Sequence, residues 1–588
     1  MPVEIVTYVE LEDVFPGREC SIEYLSQCLG ALPLDLVLEM CARANQIASG
    51  PSNLSPMDRQ RNLAGGILSP EALENLKRAT RRTAEGDLPK RLLFNRKQLL
   101  ELTRWALLLC DADSPPPNRS WNQEEKDMFV QAALICSWLS EARMRAVLAE
   151  NDDVEALKDI ALVFFRQALD AGLTGVDPWR VVGRGRKLFL EYLPKHFPDL
   201  DQLFAEATGL SPLEYMTAAG ALVGMHLQLE NTMIMTDATT LGHDTEYADV
   251  YRTYRNLQVW STDDLRARWW PANHVPDTLD EIPGLSLRPL RDKPMIALSD
   301  GRGAIPDSIL LADSVTAGPL FHLLRVKEEN EVFGAFGDAF EEYAGDILSE
   351  MFPAGAGLHQ TLYRKVPCSD VDGREFEIDA CLDYIDRLVL IEAKAVFIPD
   401  KSVVECDEAA FRAELKEKYL YGERPVGVGQ LVRAVRSLAA RAWRGLNPDS
   451  TVRLVYPVLV VHDRLLQEPL VTEFLADLLV SELGAERVPS SWQWRVDGLR
   501  FAPLTIVTID DLENLESSGG IDFLQLLEAY SVAVPNRRGS LHDFIASSGE
   551  FKRELRINQT LAQAAKSFLD DCIRRVFGRE STEEQRHD

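Results

Sequence analysis

The stretch Glu375–Val396, which reads EFEIDACLDYIDRLVLIEAKAV, most constrains what this chain can fold into. Its first half alternates apolar residues with polar or small ones, and its second half is an apolar run, so both halves predict strands. Only Glu392 and Lys394 interrupt the second run. A carboxylate and an ammonium on a buried strand cost several kcal/mol unless each finds a partner or a metal ion. The sequence therefore predicts a β-hairpin that carries a charged site.

The position of the turn decides which side chains of the hairpin meet. A two-residue turn at Asp386-Arg387 places Asp379 opposite Lys394 in an antiparallel pair. It also places Cys381 opposite Glu392. Asp379, Glu392 and Lys394 then share one face of the sheet, whereas an odd loop length without a bulge would turn Asp379 to the other face. Two carboxylates on one face supply hard oxygen ligands for Mg²⁺, and the lysine can polarise a phosphate or orient a water.

The motif formed by Asp379 and, thirteen residues later, Glu392-Ala393-Lys394 resembles the PD-(D/E)xK nuclease superfamily, whose fold is shared by many restriction enzymes and recombination nucleases. Two flanking segments agree with this resemblance. Upstream, Gly337-Asp338-Ala339-Phe340-Glu341 predicts the opening of an amphipathic helix, like the helix that contributes a further metal-site glutamate in this family. Downstream, Gln430 lies on a predicted helix where some members carry a glutamine. Ile378 stands where the family motif has a proline, and many members of the family also lack this proline.

The resemblance covers roughly residues 331–463 and implies a restriction-endonuclease-like mixed β-sheet flanked by helices. It implies Mg²⁺, with Mn²⁺ as a substitute, bound by Asp379, Glu392, the carbonyl of Ala393 and, directly or through water, Glu341. Lys394 would position the attacking water, and Gln430 would orient the substrate or a neighbouring side chain. The alternative is an ordinary hairpin with exposed charges, because the motif is short and charged residues are common.

The formal net charge of −29 restricts how the chain can bind nucleic acid, because phosphate binding depends largely on Lys and Arg side chains that release counterions. Contacts with DNA or RNA must come from a local basic surface or a partner subunit. Residues 424–446 contain five arginines and no acidic residue. Arg433 and Arg436 follow Gln430 at helical spacing, so we expect them to bind substrate. A solvated helix face is the open alternative.

Composition and missing motifs exclude other classes of protein. No apolar run approaches the ~18 residues that a membrane helix needs, and the amino terminus is acidic where a signal peptide would be basic and then apolar. Nine cysteines and nine histidines are scattered without a CxxC pair or an HExxH motif, which argues against a zinc site or a disulfide framework. We therefore expect a cytoplasmic protein. His462 is expected to end a strand and to have no catalytic role.

Periodicity and turn residues divide the chain into five predicted parts. They are a helical region over residues 1–115, a second helical region over 116–258, an irregular connector over 259–320, the nuclease-like domain over 321–535 and a helical tail over 536–588. Ala112–Ser120 contains three prolines and predicts an extended linker. Gly183–Lys187, with the sequence GRGRK, predicts a turn because it lacks the spacing of a phosphate-binding loop. Ser308–Val315 predicts a short strand.

Two functions from different classes fit these observations. The first is a Mg²⁺-dependent endonuclease that hydrolyses phosphodiester bonds of DNA, or less readily of RNA, and by analogy such an enzyme suits bacterial antiviral defence or restriction. The second is a non-catalytic scaffold of nuclease fold whose helical half binds a protein partner or a second copy of the chain, and the acidic charge favours it. Binding of Mn²⁺ at Asp379 and Glu392 separates the two.

Overall fold

The structure is a computed structural model. It describes residues 7–49, 56–82, 91–111, 121–149, 177–228, 233–234, 247–354, 360–370, 372–397, 408–421, 425–441, 452–463, 466, 468–518, 521–533, 541–554 and 558–577. The predicted linker Ala112–Ser120 lies outside the described residues, as do residues 424 and 442–446 of the arginine-rich stretch. None of the described helices is long and apolar enough to cross a membrane.

The described N-terminal part of the chain consists of helices and a two-stranded parallel sheet. Its elements are β1 (Thr7–Tyr8), α1 (Leu11–Val14), α2 (Ile22–Gly30), α3 (Leu34–Ser49), α4 (Pro56–Ile67), α5 (Pro70–Arg82), β2 (Arg91–Leu92), α6 (Arg96–Leu109) and α7 (Gln123–Ala149). Their apolar faces bury residues such as Val37, Leu100 and Phe129 in one core. The prediction of a mainly helical N-terminal half is confirmed.

A second group of helices follows. Its elements are α8 (Pro178–Lys187), a π-helical segment (Leu188–Tyr192), α9 (Leu193–His196), α10 (Leu200–Thr208), α11 (Pro212–Gln228), β3 (Met233–Ile234) and α12 (Ala248–Gln258). The segment Gly183–Lys187 lies within α8, so the predicted turn is wrong. Asp177 caps this helix by accepting a hydrogen bond from the N–H of Trp179. The glycines allow close packing instead, because a Cβ on Gly185 would lie 2.7 Å from the carbonyl oxygen of Val315.

The predicted connector contains several short elements. They are β4 (Val259–Trp260), α13 (Thr262–Trp269), a 3₁₀ turn (Leu279–Glu281), α14 (Arg288–Asp292), β5 (Met295–Ala297), β6 (Gly303–Ala304), α15 (Ser308–Asp313) and α16 (Gly318–Leu323). The strands form a four-stranded sheet in the order β3-β6-β5-β4. The predicted strand Ser308–Val315 is wrong, because α15 begins there. The carboxylate of Asp307 accepts hydrogen bonds from the N–H groups of Ile309 and Leu310 and so fixes the helix start.

The C-terminal part of the chain combines the main sheet with the helices around it. Its elements are α17 (Glu329–Met351), β7 (Thr361–Ser369), β8 (Glu375–Asp383), β9 (Arg387–Lys394), α18 (Glu408–Lys416), a π-helical segment (Glu417–Tyr421), α19 (Val428–Ala439), β10 (Leu454–Val461), α20 (Pro469–Leu483), β11 (Glu486–Arg487), β12 (Trp494–Val496), β13 (Leu499–Phe501), β14 (Thr505–Thr508), α21 (Ile509–Ser518), α22 (Phe523–Ala533), α23 (Leu541–Ser547), α24 (Phe551–Glu554) and α25 (Gln559–Phe577).

The eight strands β7–β14 form one mixed sheet. Its order is β11-β12-β13-β10-β9-β8-β7, and β14 also pairs with β10. β7, β8 and β9 are antiparallel neighbours, whereas β9, β13 and β14 run parallel to β10. Pro457 lies in this central strand, at the gap between the residues that pair with β13 and those that pair with β14, so its missing N–H breaks no ladder there. The predicted mixed α/β fold is confirmed.

The hairpin turn lies one residue earlier than predicted. The N–H of Tyr384 donates to the carbonyl of Arg387, so Ile385-Asp386 forms the two-residue turn. Ile385 adopts a φ of 76°. A β-branched residue such as isoleucine rarely adopts this left-handed conformation. The amino-acid sequence therefore does not indicate a turn at Ile385.

This displaced turn changes the register but keeps the facing of the side chains. Cys381 lies opposite Leu390 and not opposite Glu392, and continuing the register places Asp379 opposite Glu392 and not opposite Lys394. Both predicted pairings are therefore wrong. The error is two residues along the partner strand, and a shift by an even number leaves each side chain on the same face.

Two hydrophobic cores cover the two sides of the sheet. One contains Leu390 and Val455 with apolar residues of α18, α19 and α20. The other contains Val389 and Ile391 with residues of α17, the second helical group and α25, and it extends from Val181 to Val576. The sheet is thus covered by helices on both sides, and residues far apart in the chain share one core.

Candidate active site

The ammonium of Lys394 lies among three carboxylates at the end of β9. Its Nζ is 2.7 Å from Oε1 of Glu341, 3.0 Å from Oε1 of Glu392 and 3.8 Å from Oδ2 of Asp379. These side chains come from α17, β9 and β8. The structure therefore brings together four of the residues that the sequence analysis assigns to the site, and we call them the carboxylate cluster.

The carboxylate of Glu392 is fully buried in the middle of the sheet. No described residue donates a hydrogen bond in good geometry to either of its oxygens, although Lys394 approaches as an ion-pair partner. Its neighbour across the parallel pair is the apolar residue Leu459. A buried acceptor without a hydrogen bond costs about 1–3 kcal/mol, and native proteins keep such groups mainly where they serve a function or bind an ion.

The carboxylate of Asp379 is oriented by the neighbouring strand. Its Oδ2 accepts a hydrogen bond of 2.8 Å from the N–H of Ala393. This contact uses the backbone of the residue between Glu392 and Lys394, so it sets the position of Asp379 relative to both. Asp379 is oriented by the N–H of Ala393 and not by its carbonyl. The family resemblance assigns that carbonyl to the metal.

Burial raises the pKa of all three carboxyl groups, and the nearby ammonium only partly offsets this effect. The pKa of Glu341 is raised to about 6. The pKa of Asp379 is raised, and that of Glu392 lies well above its usual value. Burial alone would lower the pKa of Lys394, but the three carboxylates raise it, so the ammonium stays charged. Fully ionised, the cluster has two more negative than positive charges, and a further cation would relieve that repulsion.

Helix α17 carries Glu341 into the cluster. Its predicted apolar stripe of Phe340, Tyr343, Ala344 and Ile347 is buried against the sheet, as expected. The helix begins at Glu329, however, and not at the predicted Gly337 segment, which lies in its third and fourth turns. Glu341 stands at the edge of the buried stripe with 27% of its side chain exposed, so it reaches the cluster from the solvent side.

A close contact with β7 fixes the height of α17 over the sheet. The guanidinium of Arg364 pairs with Asp346 at 2.6 Å and lies where a side chain on Gly345 would be, 2.3 Å from an added Cβ. Tyr192 also donates a hydrogen bond of 3.0 Å to Asp346. The absence of a side chain at Gly345 thus lets the helix approach the strand, one turn after Glu341.

Gln430 lies near the hairpin but makes no contact with the cluster among the bonds of the described residues. Its Oε1 accepts a hydrogen bond of 3.2 Å from the N–H of Gly427, at the start of α19. Its Nε2 donates to the carbonyl of Glu377 at 3.4 Å, two residues before Asp379. Its observed contacts therefore position α19 against β8.

The two predicted substrate-binding arginines already have protein partners. Arg433 pairs with Asp370 at 2.8 Å and stacks over the ring of Phe376, with its guanidinium carbon 4.4 Å from the ring centre. Arg436 is exposed and donates to the backbone carbonyl of Glu482. Only a change of partner would bring Arg433 to a phosphate.

Two charged residues near Asp379 were missed by the sequence analysis. Asp338 lies one helical turn before Glu341 and raises the pKa of Asp379, whereas Lys365 lowers it. Lys365 is exposed on β7, between the residues that pair with Ala380 and Ile378, and has a φ of 50°. A left-handed lysine inside a strand is uncommon, and no periodicity in the sequence indicates it.

His462 directly follows β10, as predicted for a strand-end residue. Its ring packs against those of Phe336, Phe340 and Phe397. Its N–H donates to the carbonyl of Lys394 at 3.2 Å, which holds the end of β9 against β10. The backbone of His462 therefore contributes to the position of Lys394.

The donor atoms of the cluster suit a magnesium ion, because Mg²⁺ binds carboxylate oxygens. In the part of the chain that the structure describes, no three Asp, Glu, His or Cys side chains have the mutual spacing of a metal cage. The Nζ of Lys394 stands between the carboxylates instead. The buried oxygens of Glu392, which Lys394 approaches at 3.0 Å without a well-directed hydrogen bond, are chemically compatible with a cation.

Comparison with models of protein families, with curated proteins and with solved structures gave no match to this chain. The function proposed below therefore depends on the geometry of the carboxylate cluster and on the sequence motif.

Proposed function

We propose that the chain is a Mg²⁺-dependent nuclease of the PD-(D/E)xK type that hydrolyses phosphodiester bonds of DNA, and less readily of RNA. The observation that carries this proposal is the fully buried carboxylate of Glu392, without good hydrogen bonds, beside Asp379, Glu341 and the ammonium of Lys394. A structural ion pair needs one carboxylate for one ammonium. Three carboxylates around one ammonium suit a site that also binds a divalent cation.

The residues of the cluster divide the work of such a reaction. Asp379, Glu392 and Glu341 would hold the ion, together with the carbonyl of Ala393. The bound ion supplies a Lewis acid that polarises the scissile phosphate and activates water. Lys394, released from the carboxylates, would donate hydrogen bonds to the attacking water or to a phosphate oxygen, where its charge stabilises the transition state.

Binding of Mn²⁺ and cleavage of labelled DNA and RNA test the proposal. Asp379→Ala and Glu392→Ala are each expected to lose Mn²⁺ binding and cleavage. Glu342→Ala is the matched control, because Glu342 is adjacent to Glu341 but pairs with Lys195 and His196 outside the cluster. Full cleavage by purified Asp379→Ala protein would disprove the assignment of the site.

The setting of the enzyme is part of the same proposal. The eight described cysteines are all free, which supports a reducing compartment such as the cytoplasm. A role in antiviral defence or restriction remains analogy with large nucleases that carry helical regions. If the parent protein binds no Mn²⁺, the scaffold function, with a protein partner or a second copy of the chain, becomes the better explanation.

A further inference from the structure

A cleft of about 780 Å³ opens where α13, α14 and α16 meet. We call it the arginine cleft. Its walls include three aromatic and three arginine side chains, those of Trp260, Trp269, Phe321, Arg268, Arg288 and Arg325. Its volume lies within the roughly 300–1,000 Å³ of typical small-molecule sites. The cleft lies in and next to the predicted connector, to which the sequence analysis assigned no function.

The charges of the cleft are unbalanced toward the positive. Asp292 is the one acidic residue in its lining, and it pairs with Arg325 at 3.6 Å. Arg268 and Arg288 make no ion pair with any described residue, and both are exposed. In a chain of formal net charge −29, two neighbouring arginines without carboxylate partners favour an anionic ligand, because guanidinium groups bind phosphates through paired hydrogen bonds.

The aromatic walls of the cleft are held in place by hydrogen bonds. The indole N–H of Trp260 donates to the carbonyl of Pro289 at 2.8 Å, and that of Trp269 donates to the carbonyl of Ser286 at 2.9 Å. The guanidinium carbon of Arg268 lies 5.6 Å from the centre of the Trp260 ring. The two tryptophan rings are therefore held in place, so a ligand need not order them when it binds.

Aromatic contacts connect the arginine cleft with the end of β9. Arg288 lies over the ring of Phe321, with its guanidinium carbon 6.0 Å from the ring centre. The Phe321 ring contacts that of Phe397 at 6.3 Å between centres. Phe397 follows Lys394 by three residues and also packs against Phe336 of α17. A strand bound in the cleft would thus lie next to the elements that carry the carboxylate cluster.

We propose that the arginine cleft binds a nucleoside phosphate within a single-stranded nucleic acid, with Arg268 and Arg288 on the phosphate. Arginine combined with aromatic side chains is the usual composition of single-strand binding sites, where guanidinium groups and rings also stack on bases. The choice of a nucleic-acid strand rests on the proposed nuclease function, whereas binding itself needs no metal. A free nucleotide has the same chemistry, so the experiment must distinguish the two sources.

Equilibrium binding of a fluorescent oligodeoxythymidylate to the full chain in EDTA tests the inference. The double variant Arg268→Ala/Arg288→Ala is expected to bind at least tenfold more weakly than the parent. Its slope of log affinity against log salt should be smaller by about 1.4, because each phosphate bound on a single strand contributes about 0.7. Competition by thymidine monophosphate shows whether a free nucleotide binds the same residues. Competition that is lost in the double variant also supports an anion site at the two arginines.

The control double variant is Arg252→Ala/Arg495→Ala, which removes the same charge from exposed residues of α12 and β12 outside the cleft. It is expected to bind like the parent. Equal weakening in both double variants, or a parent that binds neither oligonucleotide nor nucleotide, would overturn the inference. Asp379→Ala should bind the oligonucleotide in EDTA like the parent. If the parent binds through Arg268 and Arg288 but cleaves no nucleic acid, the nuclease proposal is contradicted and the inference about the cleft stands.

Discussion

The hydroxyl of Tyr343 donates a hydrogen bond of 2.8 Å to Oε1 of Glu513. Tyr343 lies two residues after Glu341 on α17, and Glu513 lies on α21. The same carboxylate binds Arg180 at 3.1 Å and Arg184 at 2.7 Å, both on α8. The helix that supplies a cluster carboxylate is therefore tied to the second helical group through one buried acid.

Glu513→Leu should destabilise the protein far more than Tyr343→Phe. The first change removes the more buried of the two carboxylates that bind Arg180 and Arg184 and leaves Asp510 to pair with both arginines, which costs up to about 3–5 kcal/mol. The second removes one hydrogen bond and leaves Glu513 with its arginines, for about 1 kcal/mol. Urea unfolding of both variants measures the difference. Similar small losses in the two variants would show that Asp510 alone is enough to hold the arginines.

Glu392→Gln should raise the melting temperature in EDTA and abolish cleavage with Mg²⁺. A neutral amide of the same shape avoids the cost of burying the charge and the repulsion from Asp379 and Glu341. The same change removes a metal ligand, so stability and activity move in opposite directions. Thermal melts and cleavage assays on one preparation provide the comparison. A lower melting temperature would mean that the attraction to Lys394 outweighs burial.

Lys394→Ala should keep its affinity for Mn²⁺, or increase it, because the competing ammonium leaves the carboxylates. Cleavage should slow by about 10²–10³-fold, as when a transition-state donor is removed elsewhere. Calorimetric titration of Mn²⁺ and single-turnover cleavage measure the two effects separately. If metal binding is lost as completely as in Asp379→Ala, the lysine serves to hold the carboxylates and the role proposed for it is wrong.

Replacing His322 should flatten the acid side of the stability profile. Burial first, and then the charges of Arg325 and Lys293, lower the pKa of His322 to about 3. The unfolded chain has a value of about 6.5 and binds the extra proton, so the free energy of unfolding falls as the pH drops from 6.5 toward 3. Down to pH 4.5 this amounts to about 2.7 kcal/mol, at 1.36 kcal/mol per unit.

Urea unfolding of the parent and of His322→Gln at pH 7 and pH 4.5 measures this contribution. The loss of unfolding free energy between the two pH values should be smaller in the variant by about 2–3 kcal/mol. An equal loss in both proteins would show that His322 carries a proton in the folded state.

Arg433→Ala/Arg436→Ala should weaken nucleic-acid binding and reduce its salt slope by roughly one for each phosphate that these arginines bind in the parent. Because Asp370 already holds Arg433, Asp370→Asn should have the opposite effect and strengthen binding. Fluorescence titrations over a range of salt concentrations measure both variants. An unchanged slope in the double variant would mean that these arginines only cover the helix face.

The convergence of the cluster could be predicted because it depends on the facing of side chains, which survives an even shift in register. The turn itself could not, since Ile385 adopts a left-handed φ of 76° that a β-branched residue rarely takes. In Gly183–Lys187 the glycines suggested a turn, but they permit close helix packing. Local sequence does not distinguish these two uses of glycine.

The arginine cleft could not be predicted for a different reason. Trp260, Arg288 and Phe321 come from separate short elements, and no spacing in the sequence shows that they meet. The partner of Arg433, the carboxylate of Asp370, lies 63 residues away, so the arginine-rich stretch looked more available for phosphate than it is. Tertiary contacts of this kind decide which charges remain open to a ligand.

The core that extends from Val181 to Val576 limits how this site can be moved between proteins. A cassette restricted to residues 331–463 would contain the whole carboxylate cluster, yet it would expose the apolar face of α17 that α9, α21 and the π-helical segment Leu188–Tyr192 now help to cover. Such a face loses roughly 25 cal/mol per Å² when it returns to water. Recombination at the edges of the motif would therefore destabilise the fold. An exchange of this site between proteins has to include the helices on both sides of the sheet.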